Sequence, residues 1–368
     1  MSWTVEQRAL RERYVDHARQ HIAPRVADHF GAGRFDVDAW QGLREEGLWR
    51  MCVPAAEGGE GRSWWDLAAA LEGVVLGCGD GGLAAAMIAQ VAFLRATIEL
   101  TEGERREQLL DAALAGERCA VSLSGLSHDP LTRKVTARFR GGQFVLAGQL
   151  DHVLGAEGPS FVLLPARDPE AGGDKLSLFV VDLPCAGLRC GPMLDKLGAR
   201  SCPSTWLDFG GVRLETKQLL GPRGRARSAL EDVAAMTWAC SSLVAVALLE
   251  AVLARALAGG AGERGQALGP ELVELTLGLE SSRYLGYAGL EQLLAADPRA
   301  ARSCSLAALA SSEALLGGCR RALAARGEDA LVDAELSRMC RDAWSLALAG
   351  GGEARRRKEV LARLSEAH

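Results

Sequence analysis

The spacing of apolar residues divides the chain into a helical first third, a β-rich middle third from about Cys119 to Gly221, and a helical last third. In the first third, apolar side chains recur every three or four residues, which is typical of amphipathic helices. At Cys119 the period changes to two, and short apolar runs alternate with turn residues. From Arg225 the helical period returns. The pattern predicts three domains, at residues 1–117, 118–222 and 223–368.

The same pattern predicts the individual elements. Helices are predicted at Thr4–Ala27, Val37–Glu46, Asp66–Leu76, Gly82–Leu100, Gly103–Ala115, Ala229–Leu257, Glu271–Ala296, Arg299–Arg326, Val332–Ala347 and Glu353–Glu366. Strands are predicted at Cys119–Ser124, Val135–Arg140, Gln143–Gln149, Ser160–Ala166, Leu176–Leu183, Trp206–Phe209 and Val212–Leu214. Gly141-Gly142 is a hairpin signal. Short strands at this spacing favour a small antiparallel barrel or sandwich.

Composition and charge exclude several classes of protein. The chain has 368 residues, 48% of them hydrophobic, and a formal net charge of -5 with mixed signs. Nucleic-acid binding is not expected, because the mixed charges do not produce the one-sided basic surface that such binding needs. The only basic run, Arg355-Arg356-Arg357-Lys358, is interpreted as the solvated last turn of a helix.

The ends and the cysteines indicate a compartment. The charged N-terminus has no apolar signal segment, and the apolar stretch near Leu76–Ile98 is interrupted by Asp80 and several glycines. Ten cysteines without a CxxC pair read as reduced thiols, so no metal site is expected. We therefore predict a cytoplasmic protein with no membrane partner.

Four stretches carry a family resemblance. They are Trp40, Leu43, Gly47 and Leu48 followed by Val53-Pro54 and Glu57-Gly58-Gly59-Glu60-Gly61; Glu107-Gln108 with Ala115-Gly116-Glu117; the run from Lys196-Leu197-Gly198 through Arg200, Cys202-Pro203-Ser204, Leu207, Phe209 and Val212 to Leu219-Leu220-Gly221; and Arg341-Asp342-Ala343. In this order, and over nearly the whole chain, they resemble the motifs of the acyl-CoA dehydrogenase family.

The resemblance implies an α+β fold with an N-terminal helical domain, a middle β-domain and a C-terminal four-helix bundle. It also implies a homodimer or homotetramer packed through that bundle. In the family, FAD lies between the β-domain and the bundle, and an acyl thioester of CoA or a carrier protein lies over the flavin. A glutamate removes the α-proton, since a positioned carboxylate typically contributes about 10²–10⁴-fold to such a step, and a hydride passes to the flavin.

The positions of the catalytic base depart from the family. Counting from Arg341-Asp342-Ala343 places Gly350 at the usual glutamate, and Thr237 stands at the alternative base position on the first long bundle helix. Neither side chain is a carboxylate. Glu353, three residues after Gly350, is either a displaced base or an exposed carboxylate at a helix start.

The flavin contacts that the resemblance implies also differ. Ser124 and Ser127 would keep hydroxyl contacts, whereas the family's Trp-x-Thr falls on His152-Val153-Leu154. Arg264 is the one arginine in the stretch that matches the family's pyrophosphate contact. With so few matches, we do not expect the family's usual contacts to the phosphates of FAD, because phosphates need close backbone N–H groups and cations.

Three interpretations therefore stand side by side. The first is non-redox acid–base chemistry on an acyl thioester in specialised biosynthesis, such as cyclisation, dehydration or isomerisation. Its candidate groups are His152, His128 and Asp129, since imidazole titrates near neutral pH, although either histidine could instead be a buried side chain bonded to a backbone carbonyl. The second is an FAD-dependent acyl-CoA or acyl-carrier-protein dehydrogenase with a displaced base. The third is a non-catalytic binding or scaffold protein.

Overall fold

The first third of the chain folds as helices, as its period predicts. In the computed structural model, residues 3–122, 134–258, 265–349 and 352–365 are described. The N-terminal helices are α1 (Val5–His21), α2 (Ala23–Ala32), α3 (Val37–Glu45), α4 (Trp64–Cys78), α5 (Gly81–Leu100) and α6 (Gly103–Leu114). Short 3₁₀ turns at Leu48–Arg50 and Ala55–Glu57 connect α3 to α4.

The single long helix predicted at the N-terminus is two helices. α1 ends at His21, and Pro24 lies in the first turn of α2, where its missing N–H costs nothing. Side chains fix where the other helices begin. Asp36 caps α3, and Ser63 and Asp66 form a reciprocal capping box at α4.

The middle third is an eight-stranded sheet. Its strands are β1 (Cys119–Val121), β2 (Thr136–Arg140), β3 (Gln143–Leu154), β4 (Phe161–Arg167), β5 (Leu176–Asp182), β6 (Leu188–Cys190), β7 (Ser204–Leu214) and β8 (Leu219–Leu220). The order is β6-β7-β3-β1-β4-β5-β8, and β2 pairs with both β3 and β4. Strands β3, β1, β4 and β2 thus close a ring of pairings around an apolar core that includes Phe144, Val162 and Phe179.

The sheet is mixed, whereas the sequence predicted antiparallel pairing. β1 runs parallel to β4, with Val121 opposite Leu163, and β2 runs parallel to β4 at Thr136. The other pairings are antiparallel, and the β2–β3 hairpin turns at Gly141-Gly142 as predicted. The two short strands predicted near residues 206 and 212 are one strand, β7.

The last third is again helical. Its helices are α7 (Arg227–Ala258), α8 (Gly265–Leu294), α9 (Ala300–Arg326), α10 (Ala334–Leu348) and α11 (Gly352–Ser365). α7, α8 and α9 pack on one another, α10 packs on α7 and α9, and α11 packs on α9. α7 also packs on α4 and α5, so one continuous apolar core joins the two helical parts.

Two helices have the length and hydropathy of a membrane span, α5 and α7. Of the most apolar window in each, 78% and 61% is buried inside the protein. Core helices of soluble proteins pass the same test, so these two helices are weak grounds for a membrane span.

Candidate functional site

The three parts of the chain meet at a polar junction around two aspartates. Asp80 begins α5, where its Oδ1 accepts hydrogen bonds from the Gly82 and Leu83 N–H groups at 2.8 and 3.2 Å. Ser201, in the turn before β7, donates its hydroxyl to the same oxygen at 2.5 Å. Asp342 on α10 accepts from Gly81 N–H at 3.0 Å and from Ala199 N–H at 2.6 Å. We call this cluster the junction.

The turn of the β-domain that contains residue 198 can lie against α10 only because this residue is glycine. The Gly198 N–H donates to the Ser345 hydroxyl at 2.9 Å. A Cβ at Gly198 would lie 2.0 Å from the Arg341 carbonyl oxygen, closer than any real contact. Two of the motifs that carried the family resemblance, the one around Gly198 and Arg341-Asp342-Ala343, therefore contact each other and hold the β-domain on α10.

Burial dominates the charge balance at the junction. Burial, and to a smaller extent the nearby Asp80 carboxylate, raise the pKa of Asp342 to about 6, although Arg338 and the two main-chain hydrogen bonds act in the opposite direction. Arg338 Nη1 lies 3.2 Å from Asp342 Oδ2 and donates to the Gly79 carbonyl at 2.7 Å. Because its polar groups are satisfied by main-chain and side-chain partners, we assign the junction a structural role.

His152 lies in a distorted part of β3. The register of β3 against β7 shifts between Leu150 and Val153, and His152 has a φ of 50°. Such a φ is uncommon for a residue other than glycine, and bulges re-aim side chains. The imidazole is exposed, so the alternative of a buried, carbonyl-bonded histidine is wrong for His152.

The neighbouring aspartate is engaged elsewhere. The Asp151 carboxylate pairs with Lys134 at 2.5 Å, and this hydrogen bond holds the pKa of Asp151 below its usual value. Ser122, at the end of β1, donates to the Asp151 carbonyl at 2.9 Å. His152 is thus held beside the end of β1, while His128 and Asp129 lie outside the described residues.

Neither family position for the base offers a carboxylate. Thr237 is buried on α7, and its hydroxyl donates to the Val233 carbonyl of its own helix at 2.7 Å. Gly350 lies outside the described residues. Glu353 is exposed in the first turn of α11 and pairs with Arg357 at 2.7 Å, which fits the interpretation of an exposed carboxylate at a helix start.

A cavity of about 40 Å³ is bordered by Ser241, one helical turn after Thr237 on α7, and by Ala349 after the end of α10. Its walls come from α5, α7, α9, α10 and α11: Ala85, Ile88, Ser241, Val244, Ala245, Ala308, Ser311, Ser312, Leu315, Leu346, Ala347, Ala349 and Arg356. Ala349 directly precedes Gly350. No carboxylate or imidazole is among the described residues that line it, so it presents apolar surface, hydroxyls and one guanidinium.

Arg356 was not predicted to be a site residue. The basic run that contains it, Arg355-Arg356-Arg357-Lys358, was interpreted as the solvated last turn of a helix. That prediction is wrong, because the run lies in the first half of α11 and Arg356 is largely buried against α9 and α10. Its Nη1 donates to the Ser312 hydroxyl at 2.6 Å, and its Nη2 donates to the Leu346 and Ala349 carbonyls at 3.2 and 3.3 Å. Burial lowers the pKa of Arg356 to about 10.

The flavin contacts fit FAD poorly where the structure describes them. His152 replaces the tryptophan, and Leu154, at the position of the family's hydroxyl, is buried in the apolar core. The remaining candidates, Ser124, Ser127 and Arg264, lie outside the described residues. In the described part of the chain, no group of three His, Cys, Asp or Glu side chains is placed to hold a metal ion.

Comparison with known proteins agrees with the motifs. The family "Acyl-CoA dehydrogenase, N-terminal domain" matches residues 4–117. L-prolyl-[peptidyl-carrier protein] dehydrogenase of Pseudomonas fluorescens is 27% identical over 77% of this chain and 78% of its own length. Benzylmalonyl-CoA dehydrogenase of Aromatoleum aromaticum is 26% identical over 98% of both chains.

A solved structure extends the likeness to the whole fold. The prolyl acyl carrier protein oxidase AnaB superposes with a TM-score of 0.89 at 23% identity, over 99% of this chain and 100% of its own. The predicted order of helical domain, β-domain and helical bundle is confirmed. Residues 4–117 thus belong to the acyl-CoA dehydrogenase N-terminal domain family, and the chain as a whole has the acyl-CoA dehydrogenase fold.

Proposed function

We propose that the protein binds an acyl thioester, carried on CoA or on a carrier protein, and transforms it by non-redox acid–base chemistry. The relatives support the substrate class, because their names specify acyl groups on CoA or on a peptidyl carrier protein. The observation that carries the proposal is the contrast at the base positions. Thr237 bonds to its own helix and Gly350 has no side chain, yet a cavity is lined by Ser241, one turn after Thr237, and by Ala349, which precedes Gly350 in the chain.

His152 is the described group that suits the chemistry. It is exposed, held at a bulge with a strained φ, and lies in β3, a strand that packs on α5. Strained backbone persists where surrounding structure enforces it, and it clusters at functional sites. An imidazole at this place removes a proton from one atom of the acyl group and returns it to another, which yields isomerisation, or to a leaving hydroxyl, which yields dehydration.

FAD supplies hydride chemistry to the family when it is bound. In this chain, His152 and Leu154 replace two of its contacts, so we propose that flavin does not take part in the reaction. The purified protein should be colourless, without the absorbance near about 450 nm of a flavoprotein. FAD should leave its melting temperature unchanged, whereas a ligand at 100 times its Kd adds about 2.7 kcal/mol of stability.

The role of His152 is tested by His152→Asn. Asparagine tolerates a positive φ, so the variant should fold, but it does not titrate near neutral pH. We expect turnover of the thioester to fall while the melting temperature stays the same. His21→Asn, at an exposed histidine on α1, is the matched control. Full turnover by His152→Asn would contradict the assignment.

The relatives' names favour a second candidate, an FAD-dependent dehydrogenase with a displaced base. Glu353 would have to leave Arg357 to act as that base. A yellow protein that forms an enoyl thioester, and stops doing so in Glu353→Gln, would establish this candidate. A protein that binds thioesters without turning them over would instead be a scaffold.

We also propose a cytoplasmic homodimer or homotetramer that assembles through the bundle. Val273, Leu277 and Tyr284 lie on α8 with more than half of their surface exposed. Their spacing places them along one face of the helix, as expected of an interface. Light scattering after gel filtration tests this proposal, and a monomer at micromolar concentration would contradict it.

A further inference from the structure

Arg356 carries a positive charge into the cavity, and no carboxylate among the described side chains balances it. Its described partners are the Ser312 hydroxyl and two carbonyls, and no described acidic group lies within ion-pair distance. Desolvation by burial is the cause of its lowered pKa, with no charged neighbour contributing. A buried charge without a counter-charge is energetically costly. An anion bound next to this guanidinium would offset that cost.

The carbonyls explain part of this arrangement. Leu346 and Ala349 end α10, and a cation at a helix C-terminus is stabilised by unsatisfied carbonyls and by the partial negative charge of about half a unit. That partial charge does not neutralise a guanidinium. Ser312 accepts the hydrogen bond from Arg356, and its own O–H has no acceptor among the described residues. Arg356 and Ser312 together therefore present a charged and a neutral donor.

The other residues that line the cavity indicate which chemical group of a ligand would lie next to that anion. Apolar walls formed by residues such as Ile88, Val244 and Leu315 suit an aliphatic chain. The volume of about 40 Å³ accommodates a small group such as the end of an acyl chain, since a cavity of about 10–15 Å³ already holds one water. An aliphatic chain that ends in a small anion matches both the walls and the donors, because a guanidinium donates strong charge-assisted hydrogen bonds to a carboxylate.

We propose that Arg356 and Ser312 bind a carboxylate at the far end of the acyl group, so that the substrate is the thioester of a dicarboxylic acid. This inference rests on the proposed function, because it names the acyl group that the thioester site accepts. Neutral acyl groups would leave the guanidinium desolvated and unpaired. The site therefore selects for the acidic acyl chain and against its neutral counterpart.

Binding to the full-length protein tests the inference. Glutaryl-pantetheine and pentanoyl-pantetheine have the same chain length and differ in a terminal carboxylate against a methyl group. Adipyl- and hexanoyl-pantetheine form a second pair one methylene longer. By isothermal titration calorimetry, we expect the acidic member of at least one pair to bind about 10- to 100-fold more tightly, as charged hydrogen bonds contribute on this scale.

The preference should disappear in Arg356→Met, which keeps the aliphatic length and removes the charge. Arg357→Met is the matched control, because Arg357 is the adjacent residue, is exposed, and pairs with Glu353 and Glu313. The control should keep the preference. If Arg356→Met does not fold, as judged by circular dichroism, Ser312→Ala replaces it and should reduce the preference by removing one donor.

The outcomes separate the two proposals. Equal binding of acidic and neutral thioesters by the wild type, or a preference that survives in Arg356→Met, would overturn the carboxylate site and leave Arg356 as a cap of α10. Wild-type binding of neutral thioesters alone would do the same while supporting the thioester function. Failure of every pantetheine thioester to bind would remove both proposals.

Discussion

The middle of α10 and its C-terminal end have very different surroundings in this protein. Asp342, in the middle of the helix, belongs to a junction whose polar groups are satisfied and whose sequence matches the family. Ala349, about 10 Å further along at 1.5 Å per residue, borders a cavity that is lined by the Arg356 guanidinium and by no carboxylate among the described residues. The motifs that identify the fold are thus those that join its parts, and they carry no information about the reaction.

Restoring a base should produce the largest effect. Gly350→Glu places a carboxylate at the position that the resemblance assigns to the family's base, next in the chain to Ala349, which lines the cavity. We expect exchange of the α-protons of bound glutaryl- or pentanoyl-pantetheine in D₂O to rise by about 10²–10⁴-fold, measured by NMR. Gly350→Gln has the same size without the basicity and should stay at the wild-type rate. An unchanged rate in Gly350→Glu would show that the acyl α-carbon does not lie beside residue 350.

Breaking the junction should destabilise the whole protein. Asp342→Ala removes the acceptor for Gly81 and Ala199 and leaves Arg338 buried without its carboxylate. We expect a loss of about 3–5 kcal/mol in the free energy of unfolding, measured by urea denaturation. Asp195→Ala, at an exposed aspartate that pairs with Arg200, should cost no more than about 1 kcal/mol. Similar losses in both variants would contradict the structural role of the junction.

A larger side chain at Gly198, on the β-domain side of the junction, should lower the free energy of unfolding by less. Gly198→Ala forces a Cβ toward the Arg341 carbonyl oxygen, so the turn must move away from α10. We expect a loss of about 1–3 kcal/mol, read from the melting temperature. Gly172→Ala, where a Cβ would meet no atom within 4 Å, is the control and should be nearly neutral. A neutral Gly198→Ala would mean that the close approach is not required.

The smallest expected effect is a dependence on pH. The pKa of Asp342 is raised from 3.8 to about 6 by burial, so the folded state holds a proton that the unfolded state releases. Its contribution to stability is therefore fully present below about pH 4 and decreases as the pH rises from about 4 through about 6. Asp342→Asn should flatten this part of the stability profile. A wild-type profile that rises between pH 4 and 6, and is unaltered in Asp342→Asn, would contradict the assignment.

The fold could be predicted from the sequence because its signals are local. Periodicity located nearly every helix, and Gly141-Gly142 located the hairpin correctly. The break between α1 and α2 was missed because apolar spacing continues across Pro24. The parallel pairing of β4 with β1 and β2 depends on the path of the chain between distant strands, which no local pattern specifies.

The site could be predicted only in part. Counting along the chain predicts that neither base position holds a carboxylate, and this stays a prediction for Gly350. The burial of Arg356 was not predicted, because neighbouring Arg357 is exposed and the run looks uniform in sequence. Which member of the run faces α9 is set by how α11 packs. The bulge at His152 is likewise a product of pairing with β7. Ser124, Ser127, His128, Asp129 and Arg264 remain predictions outside the described residues.

The central claim is that this fold has kept its acyl site and given up flavin chemistry. The most direct test mixes the protein with excess FAD and a pantetheine thioester that calorimetry shows to bind, without oxygen, and follows the flavin absorbance near about 450 nm. The account predicts constant absorbance and no enoyl product. Bleaching of the flavin together with the appearance of an enoyl thioester would contradict it and identify the protein as an active dehydrogenase.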